Sequence, residues 1–208
     1  SFTGGVMENF RPAGTVGAPG ATYGAVDVTT ASTKDMAFEG KVAYDFAGDV
    51  AGRVWASAIT QKTSVTADPT ANYTSKGFDV GAKASAAGFS AVAYYYDGKG
   101  LDSQNTLLQG LFNGNGEKSD DKGGYVQATF TVPGAGTKLG ASYGESQSQS
   151  AVAGGFDIKN ESWIIGAYHP LTKHLNLVAE YTDQKVKDTD AATTTKNETI
   201  SLGAILFF

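Results

Sequence analysis

The sequence is dominated by a two-residue alternation between apolar and polar side chains. Between Asp35 and Phe46, one set of alternate positions is apolar or small and the other carries charge. The first set is Met36, Phe38, Gly40, Val42, Tyr44 and Phe46, and the second is Ala37, Glu39, Lys41, Ala43 and Asp45. Successive side chains of a β-strand point to opposite faces of its sheet, whereas a helix repeats about every 3.6 residues. The pattern therefore predicts strands whose two faces meet different environments.

The alternation recurs in three more segments, and six others have strand-like composition. The sequence thus predicts ten strands: Phe2–Asn9, Asp35–Phe46, Arg53–Gln61, Lys76–Ala86, Phe89–Tyr96, Tyr125–Val132, Thr137–Glu145, Glu161–His169, Leu175–Tyr181 and Thr199–Phe208. In Arg53–Gln61 and Glu161–His169 both faces are mixed. The pattern therefore leaves open which face of the sheet carries Trp55 and which carries Trp163.

The connections between these segments alternate in length. Short turns are predicted at Gly48–Gly52, Ala87–Gly88, Pro133–Gly136 and Pro170–Lys173. Long polar loops are predicted at Arg11–Lys34, Lys62–Tyr73, Asp97–Gly123, Ser146–Asn160 and Asp183–Lys196. An up-and-down meander places all long loops at one end and all short turns at the other, which is the layout of an outer-membrane barrel.

The polar face of the predicted sheet carries charged groups beside small ones. Its charged members are Glu39, Lys41, Asp45, Asp79, Lys83, Lys138 and Glu180. Seven such groups in a dry core would be strongly unfavourable, but a water-filled lumen accommodates them. The opposite face then meets lipid, where only a closed barrel leaves no unpaired strand edge. The predicted fold class is an all-β, transmembrane, antiparallel up-and-down β-barrel with these seven residues as pore-lining candidates.

The composition excludes several other classes of protein. The chain of 208 residues has no Cys, which excludes disulfide scaffolds, thiol catalysis and iron–sulfur centres. Its net charge of −5 offers nothing to offset phosphate charge, so no nucleic-acid partner is expected. No run approaches about 18 consecutive apolar residues, so no transmembrane helix is predicted. Since the chain starts at Ser1 without a signal peptide, we expect a processed chain or a fragment.

The C-terminal strand alternates in register and ends on an aromatic residue. Its apolar positions are Ile200, Leu202, Ala204, Leu206 and Phe208. This pattern resembles the assembly signal of bacterial outer-membrane barrels, whose last strand ends in Phe. Other aromatic residues cluster near strand ends, as interfacial girdles require. We expect Tyr44, Phe46, Phe89, Tyr168 and Phe208 in the girdle at the short-turn end, and Phe78, Tyr95 and Tyr181 at the long-loop end.

Six segments together resemble the general diffusion porins of Gram-negative bacteria. They are GKVAYDF at 40–46, GFDVGAK at 77–83, AYYYDGKG at 93–100, TKLGASYG at 137–144, YHPLTKHLNLVAEYT at 168–182 and LGAILFF at 202–208. The resemblance implies a homotrimer in the outer membrane, contacting lipid, with long loops extracellular and the C-terminus periplasmic. It also implies passive diffusion of small hydrophilic solutes and ions, with no enzymatic activity, no cofactor and no metal.

The resemblance implies sixteen strands, whereas the sequence predicts ten. At the observed density a sixteen-stranded chain needs about 330 residues. We therefore expect residues 1–208 to be a single β-barrel domain, incomplete at its N-terminus and corresponding to strands seven to sixteen. The family's third loop, which folds into the lumen and forms the constriction, would then belong to the absent part.

Two alternative functions and one possible metal site accompany this interpretation. A non-conducting barrel could act as a surface receptor or adhesin through its loops. An outer-membrane protease would need His and carboxylates above the membrane, whereas His169 and His174 flank the short turn at 170–173. Asp120 and Asp121 could coordinate calcium, but solvated loop charges are the default expectation. Three basic against four acidic lumen candidates give no clear field, so the sequence leaves the choice between anion and cation selectivity open.

Overall fold

The computed structural model describes residues 1–8, 31–32, 36–65, 73–101, 118–150, 157–189 and 191–208. Within these ranges the chain forms eleven strands and no helix: β1 (Phe2–Glu8), β2 (Ala31–Ser32), β3 (Met36–Phe46), β4 (Ala51–Val65), β5 (Tyr73–Ala86), β6 (Phe89–Lys99), β7 (Asp120–Thr131), β8 (Lys138–Gln149), β9 (Asp157–Pro170), β10 (Leu175–Asp188) and β11 (Thr193–Leu206). Consequently, none of the described segments is a helix that could cross a membrane.

The strands form one antiparallel meander. The order in the sheet is β1-β3-β4-β5-β6-β7-β8-β9-β10-β11, so the strands pair in chain order except for the two-residue β2, which pairs with β4 and leaves β1 paired with β3. All ten predicted strands are confirmed. Among the described residues β1 and β11 each have one neighbour on this path, so the sheet is open. The assignment of these strands to positions seven to sixteen of a larger barrel stays a prediction.

Short connections lie at one end of the sheet, as the sequence predicts. They span residues 47–50, 87–88, 132–137 and 171–174. At the tightest, Ala87 and Gly88 both have positive φ values, of 49° and 84°. Two successive left-handed residues are the signature of the type I′ turn, whose twist matches that of the flanking strands. We call this the short-turn end and the opposite one the long-loop end.

At the long-loop end the strands extend well beyond their predicted limits. The predicted loop at Asp183–Lys196 is wrong, because β10 continues to Asp188 and β11 begins at Thr193. Likewise β4 reaches Val65 and β8 reaches Gln149. Both faces of these extensions are polar, so hydropathy does not alternate, although the backbone ladder continues between neighbours. The predicted loops at 11–34 and 97–123 fall largely outside the described residues.

The register of the ladder assigns every residue to one of two faces, because directly paired residues lie on the same side of a sheet. On one face Lys41 pairs with Ser57, and Ser57 with Asp79. On the other face Val42 pairs with Ala56, and Ala56 with Val80. We call them the polar face and the apolar face. The predicted separation of charged from apolar positions therefore persists across strands.

The sheet has no hydrophobic core of its own in the described part of the chain. Ala37 and Leu101 are the buried apolar residues there, whereas large side chains of the apolar face remain open. Trp163 is 56% exposed and Ile165 is 60% exposed. A single layer that exposes so much apolar surface on one side requires an apolar medium against that side.

We predict that a charge is tolerated on one face and not on the other. Ala128, on the apolar face, and Gln127, on the polar face, are neighbours in β7, and Ala128 pairs with Ala91 and Ala141. In lipid vesicles, Ala128→Lys should lower the free energy of unfolding by about 2–4 kcal/mol, the range for Lys at the bilayer midplane. Urea unfolding measures this, with Gln127→Lys as the control that changes stability little. Equal destabilisation by both variants would contradict the assignment of faces.

Candidate functional site

The polar face brings together all seven charged residues that the sequence singled out. Register places Glu39, Lys41, Asp45, Asp79, Lys83, Lys138 and Glu180 on this one face. Glu39 and Lys41 lie toward the long-loop end, and Asp45, Lys83, Lys138 and Glu180 toward the short-turn end. The set therefore extends over most of the height and width of the sheet rather than forming one compact cluster.

Three of the four acidic members of this wall have specific partners. Asp45 accepts two hydrogen bonds from Arg53, with Oδ1 2.6 Å from Nε and Oδ2 2.9 Å from Nη2. Asp79 accepts a hydrogen bond from the Ser57 hydroxyl, and Glu180 accepts one from the Tyr168 hydroxyl. Both side chains of the Asp45–Arg53 pair stay more than half exposed. A water-facing ion pair of this kind holds its side chains in place while leaving their charge accessible.

The sequence pattern did not assign Arg53, Trp55 or Tyr168 to the polar face. Arg53 and Trp55 lie on it, paired with Asp45 and Ala43, but the mixed composition of β4 hid their orientation. Tyr168 also lies on it, since it pairs with Lys138 and Val178, so its predicted place in the girdle is wrong. The hydrogen bond from its hydroxyl to Glu180 explains why this aromatic residue faces the polar side.

A recess of about 530 Å³ opens on the polar face toward the long-loop end. Among the residues lining it are Glu39, Lys41, Ser57, Asp79, Tyr94 and Tyr96. Leu101 also lines it, and its side chain packs against Gly77 and Gly98, where a Cβ would collide with it. The recess therefore combines both signs of charge with aromatic surface.

Buried polar contacts fix both ends of the connection between β6 and β7 against the polar face. Asp121, 1% exposed, accepts hydrogen bonds from Leu101 N at 2.9 Å, Ser119 Oγ at 2.7 Å and Ser148 Oγ at 2.6 Å. Lys118 Nζ donates to the Thr74 carbonyl at 2.9 Å. Asp121 is thus not a solvated loop charge as expected, because Leu101 and Ser119 carry the chain ends across it.

Asp120, the neighbour of Asp121, is a solvent-exposed charge as expected. Asp120 points to the opposite face, where its Oδ1 lies 2.7 Å from Lys99 Nζ and the side chain is 57% exposed. Alternation along β7 therefore gives two adjacent aspartates different roles. One holds a buried network together and the other forms a surface ion pair.

The apolar face carries aromatic residues at two levels. The rings of Phe89 and Phe130 lie 4.4 Å apart near the short-turn end, and those of Tyr143 and Trp163 lie 4.6 Å apart nearer the long-loop end. Phe78, Tyr95 and Tyr181 also lie on this face toward the long-loop end. Trp163 thus takes the face opposite to Trp55. Between the two levels the side chains are mainly Ala, Val and Ile, which defines an apolar belt.

The predicted assembly-signal residues continue this belt along β11. Ile200, Leu202, Ala204 and Leu206 lie on the apolar face, since Ile200 pairs with Tyr181 and Leu202 with Ala179. All are exposed, and Phe208 follows the end of the strand. Phe207 N donates to the His174 carbonyl at 2.8 Å, which ties the C-terminus to the short turn.

Beyond the aromatic level, at the long-loop end, the apolar face becomes a charged band. Lys159 Nζ lies 2.9 Å from Glu145 and 3.2 Å from Glu161, and Lys187 Nζ lies 3.1 Å from Glu161. Lys196 pairs with Asp183 at 3.3 Å and also with Glu198. These pairs lie outside the belt and mark the level at which the apolar medium ends.

The ion pairs of this band change the pKa values of their members. Hydrogen bonds from Lys187 and Lys159 hold the pKa of Glu161 below its ordinary value. The hydrogen bond to Glu145 is the largest cause that raises the pKa of Lys159. In the charged band the folded state therefore favours the ionised form of both partners.

Both histidines lie at the short-turn end of the sheet, as the sequence predicts. His169 Nδ1 lies 2.8 Å from Thr137 Oγ1, on the side of the short turns. His174 lies in the turn at 171–174. Within the ranges that the structure describes, no group of three or more His, Asp or Glu side chains could hold a metal ion.

We predict that Asp121→Ala opens the ends of the β6–β7 connection. Loss of a charged acceptor from buried hydrogen bonds costs about 1.5–3 kcal/mol, enough to raise the population of open conformations about tenfold or more. Trypsin cleavage after Lys118 should accelerate accordingly. Asp120→Ala is the matched control, since it removes only an exposed ion pair. Similar cleavage rates in the two variants would show that Asp121 does not secure these ends.

We predict that the ion pairs of Glu161 make the stability of the protein depend on pH. Because folding lowers the pKa of Glu161, its ion pairs stabilise the protein above the ordinary carboxyl pKa, near 4.5, and are lost as pH falls through the folded pKa. The thermal unfolding midpoint of the wild type should therefore fall more steeply below about pH 4.5 than that of Glu161→Gln. Parallel pH profiles for the two proteins would refute the role of Glu161.

Comparison with known proteins agrees with this architecture. A family model described as Gram-negative porin matches residues 1–189. Among solved structures, outer-membrane expressed OmpT of Vibrio cholerae superposes with a TM-score of 0.54 and 15% identity, over 100% of this chain and 76% of that chain. At this identity the likeness shows the fold alone. A comparison with curated protein sequences finds no match. The chain belongs to the Gram-negative porin family and has the antiparallel fold of an outer-membrane β-barrel protein.

Proposed function

We propose that this porin-family protein forms a water-filled channel through which small hydrophilic solutes and ions diffuse passively across the outer membrane. The observation that carries the proposal is the separation of side chains between the two faces of the sheet. Charged residues lie on the polar face across β3 to β10, and large apolar residues are exposed on the other face. Solutes pass chemically unchanged, so no enzymatic step and no cofactor is invoked.

Hydration of the polar face follows from its charges. Lys83 and Lys138 lie on this face, and both side chains of the Asp45–Arg53 pair are more than half exposed. Removing such groups from water would cost several kcal/mol for each ion. A polar face of this composition is stable only against water, which makes Glu39, Lys41, Asp45, Asp79, Lys83, Lys138 and Glu180 the proposed pore wall.

The apolar belt gives the proposed depth of the sheet in the membrane, and the lengths of the connections give its direction. Lipid covers the belt, and the two aromatic levels lie at its interfaces, where amphipathic rings are favoured. Outer-membrane barrels have short periplasmic turns and longer extracellular loops. By this analogy the proposed orientation has the short-turn end and the C-terminus in the periplasm and the charged band and long loops outside.

Two further properties are carried over from the family. The apolar positions Ile200, Leu202, Ala204 and Leu206 with Phe208 would serve as the recognition signal for barrel assembly. A homotrimer is the proposed assembly, with part of the apolar face covered by neighbouring copies. The alternative of a non-conducting receptor or adhesin differs in one property that can be measured directly, because such a barrel passes no current.

The direct test is ion conductance of the purified full-length protein in planar lipid bilayers. In KCl, stepwise and ohmic increases of current are expected. Liposomes that contain the protein should also swell when small uncharged solutes are added outside, because these solutes enter through the channel. A folded, membrane-inserted protein without conductance would overturn the channel and favour the receptor. Chemical cross-linking in detergent checks the trimer independently, since a monomer alone would contradict only the assembly.

We predict that charge reversal on the polar face changes ion selectivity. Lys83→Glu alters the wall beside Asp45 and Arg53 and should move the permeability ratio toward cations, as rings of charge do in pores. The reversal potential across a salt gradient measures it. The effect should be large near 0.1 M salt and small near 1 M, where the screening length falls to about 3 Å. Lys122→Glu makes the same charge change on the other face and should leave selectivity unchanged.

A further inference from the structure

We infer that a strip of aromatic rings on the polar face, formed by Trp55, Tyr94, Tyr96 and Tyr125 with Lys41 and Asp79 beside it, binds neutral oligosaccharides. This inference rests on the proposed channel, because it names a solute class for the same wall. It does not follow from the need for a wet surface, since charged and small residues already supply one.

The strip is built by the register of four strands. Trp55 pairs with Gly81, Gly81 with Tyr94, and Tyr94 with Tyr125, so the three aromatic residues share one row across β4 to β7. Tyr96 lies in the next row toward the long-loop end. Ring centroids are 5.5 Å apart for Tyr94 and Tyr125 and 6.3 Å apart for Tyr94 and Tyr96. The three tyrosine rings therefore form one apolar surface on an otherwise polar wall, and the Trp55 ring lies over Gly81 in the same row.

Glycines beside the rings let them lie close to the backbone. The Trp55 ring occupies the space above Gly81, where a Cβ would collide with it. The Tyr96 ring occupies the space above Gly123 in the same way. Tyr125 is 41% exposed, so part of this surface is accessible.

Groups able to exchange hydrogen bonds flank the rings. Lys41 Nζ lies 5.6 Å from the centroid of the Trp55 ring, and Asp79 accepts a hydrogen bond from Ser57. Lys41, Asp79, Tyr94 and Tyr96 all line the recess of about 530 Å³, a volume within the range of small-molecule sites. Charges of both signs line the recess, with Glu39 and Asp79 on the acidic side and Lys41 on the basic side, so both hydrogen-bond donors and acceptors are within reach of a neutral solute.

This combination matches the chemistry of a sugar ring. A pyranose has an apolar face of C–H groups and a rim of hydroxyls that both donate and accept hydrogen bonds. Aromatic rings pack against the C–H face of the sugar. Lys41, Asp79 and the tyrosine hydroxyls form hydrogen bonds with its hydroxyl groups. Because the rings repeat along the wall, successive units of an oligosaccharide find successive contacts. The competing explanation is that the rings only pack on glycines and stabilise the sheet.

Fluorescence provides a test that does not depend on conductance. The chain has two tryptophans, so Trp163→Phe, on the opposite face, leaves Trp55 as the only reporter. Titration of this variant of the full chain in detergent with maltohexaose should change Trp55 emission in a saturable way. Polyethylene glycol of the same hydrodynamic radius should not. No saturable response to maltohexaose would overturn the inference.

Substitutions within the strip separate binding from packing. In the Trp163→Phe background, Tyr94→Leu and Tyr96→Leu should each weaken maltohexaose binding about tenfold, whereas Tyr94→Phe, which keeps the ring, should stay within about twofold. Tyr95→Leu is the matched control, because Tyr95 lies on the apolar face of the same strand. Variants that unfold more easily yet bind maltohexaose with unchanged affinity would support packing alone and overturn the inference.

Planar bilayers then distinguish failure of this inference from failure of the channel. Discrete, concentration-dependent interruptions of KCl current by maltohexaose, lost in Tyr94→Leu, support the sugar site. Normal KCl current without interruptions, together with an unresponsive Trp55, overturns the sugar site and leaves the channel standing. Absence of KCl current overturns the channel, and with it any role of the strip in solute passage.

Discussion

The structure depends on one requirement, that every backbone N–H and C=O facing an apolar medium must be hydrogen-bonded within the protein. The antiparallel ladder meets it for the strands between the two edges of the sheet, β1 and β11, through pairing between adjacent strands. That ladder also fixes the register, and register decides the face of every side chain. A shift by one residue would turn the charges of the polar face into the lipid and the apolar belt into water. The separation of the two faces is therefore a property of the whole sheet rather than of any one strand.

The two faces are stabilised in different ways. On the apolar face, exposed Val, Ile and aromatic side chains gain free energy only when lipid or another apolar surface covers them, and the aromatic levels define where that cover ends. On the polar face, Asp45 with Arg53 and Glu180 with Tyr168 keep charged groups in fixed positions while they remain in contact with water. The charged band at the long-loop end belongs to neither regime. It lies on the apolar face but beyond the belt. Lys159, Glu161 and Lys187 therefore pair there as surface ion pairs in contact with water, and each pair contributes little to stability.

The polar face is more than a hydrated surface, because two features give it local structure. Asp121 holds the ends of the β6–β7 connection against the wall, and Leu101 closes one side of the recess that contains Lys41 and Asp79. The aromatic strip next to this recess adds apolar surface where water would otherwise be the sole neighbour. A wall built in this way has positions at which a passing solute can pause, which is the physical basis of the proposed preference for oligosaccharides.

The sequence alone determined the all-β class, the ten strands, the short connections at one end of the sheet and the common face of the seven charged residues, because turn residues and a period of two residues are local properties. It did not determine the length of the strands beyond the belt, where both faces are polar and the alternation vanishes. Nor did it determine the orientation of Trp55, Trp163 and Tyr168 or the burial of Asp121. Those depend on which residues of neighbouring strands lie opposite, such as Gly81 beneath Trp55 and Ser148 beside Asp121. Only pairing between distant segments decides them, since no local pattern records the register of the partner strand.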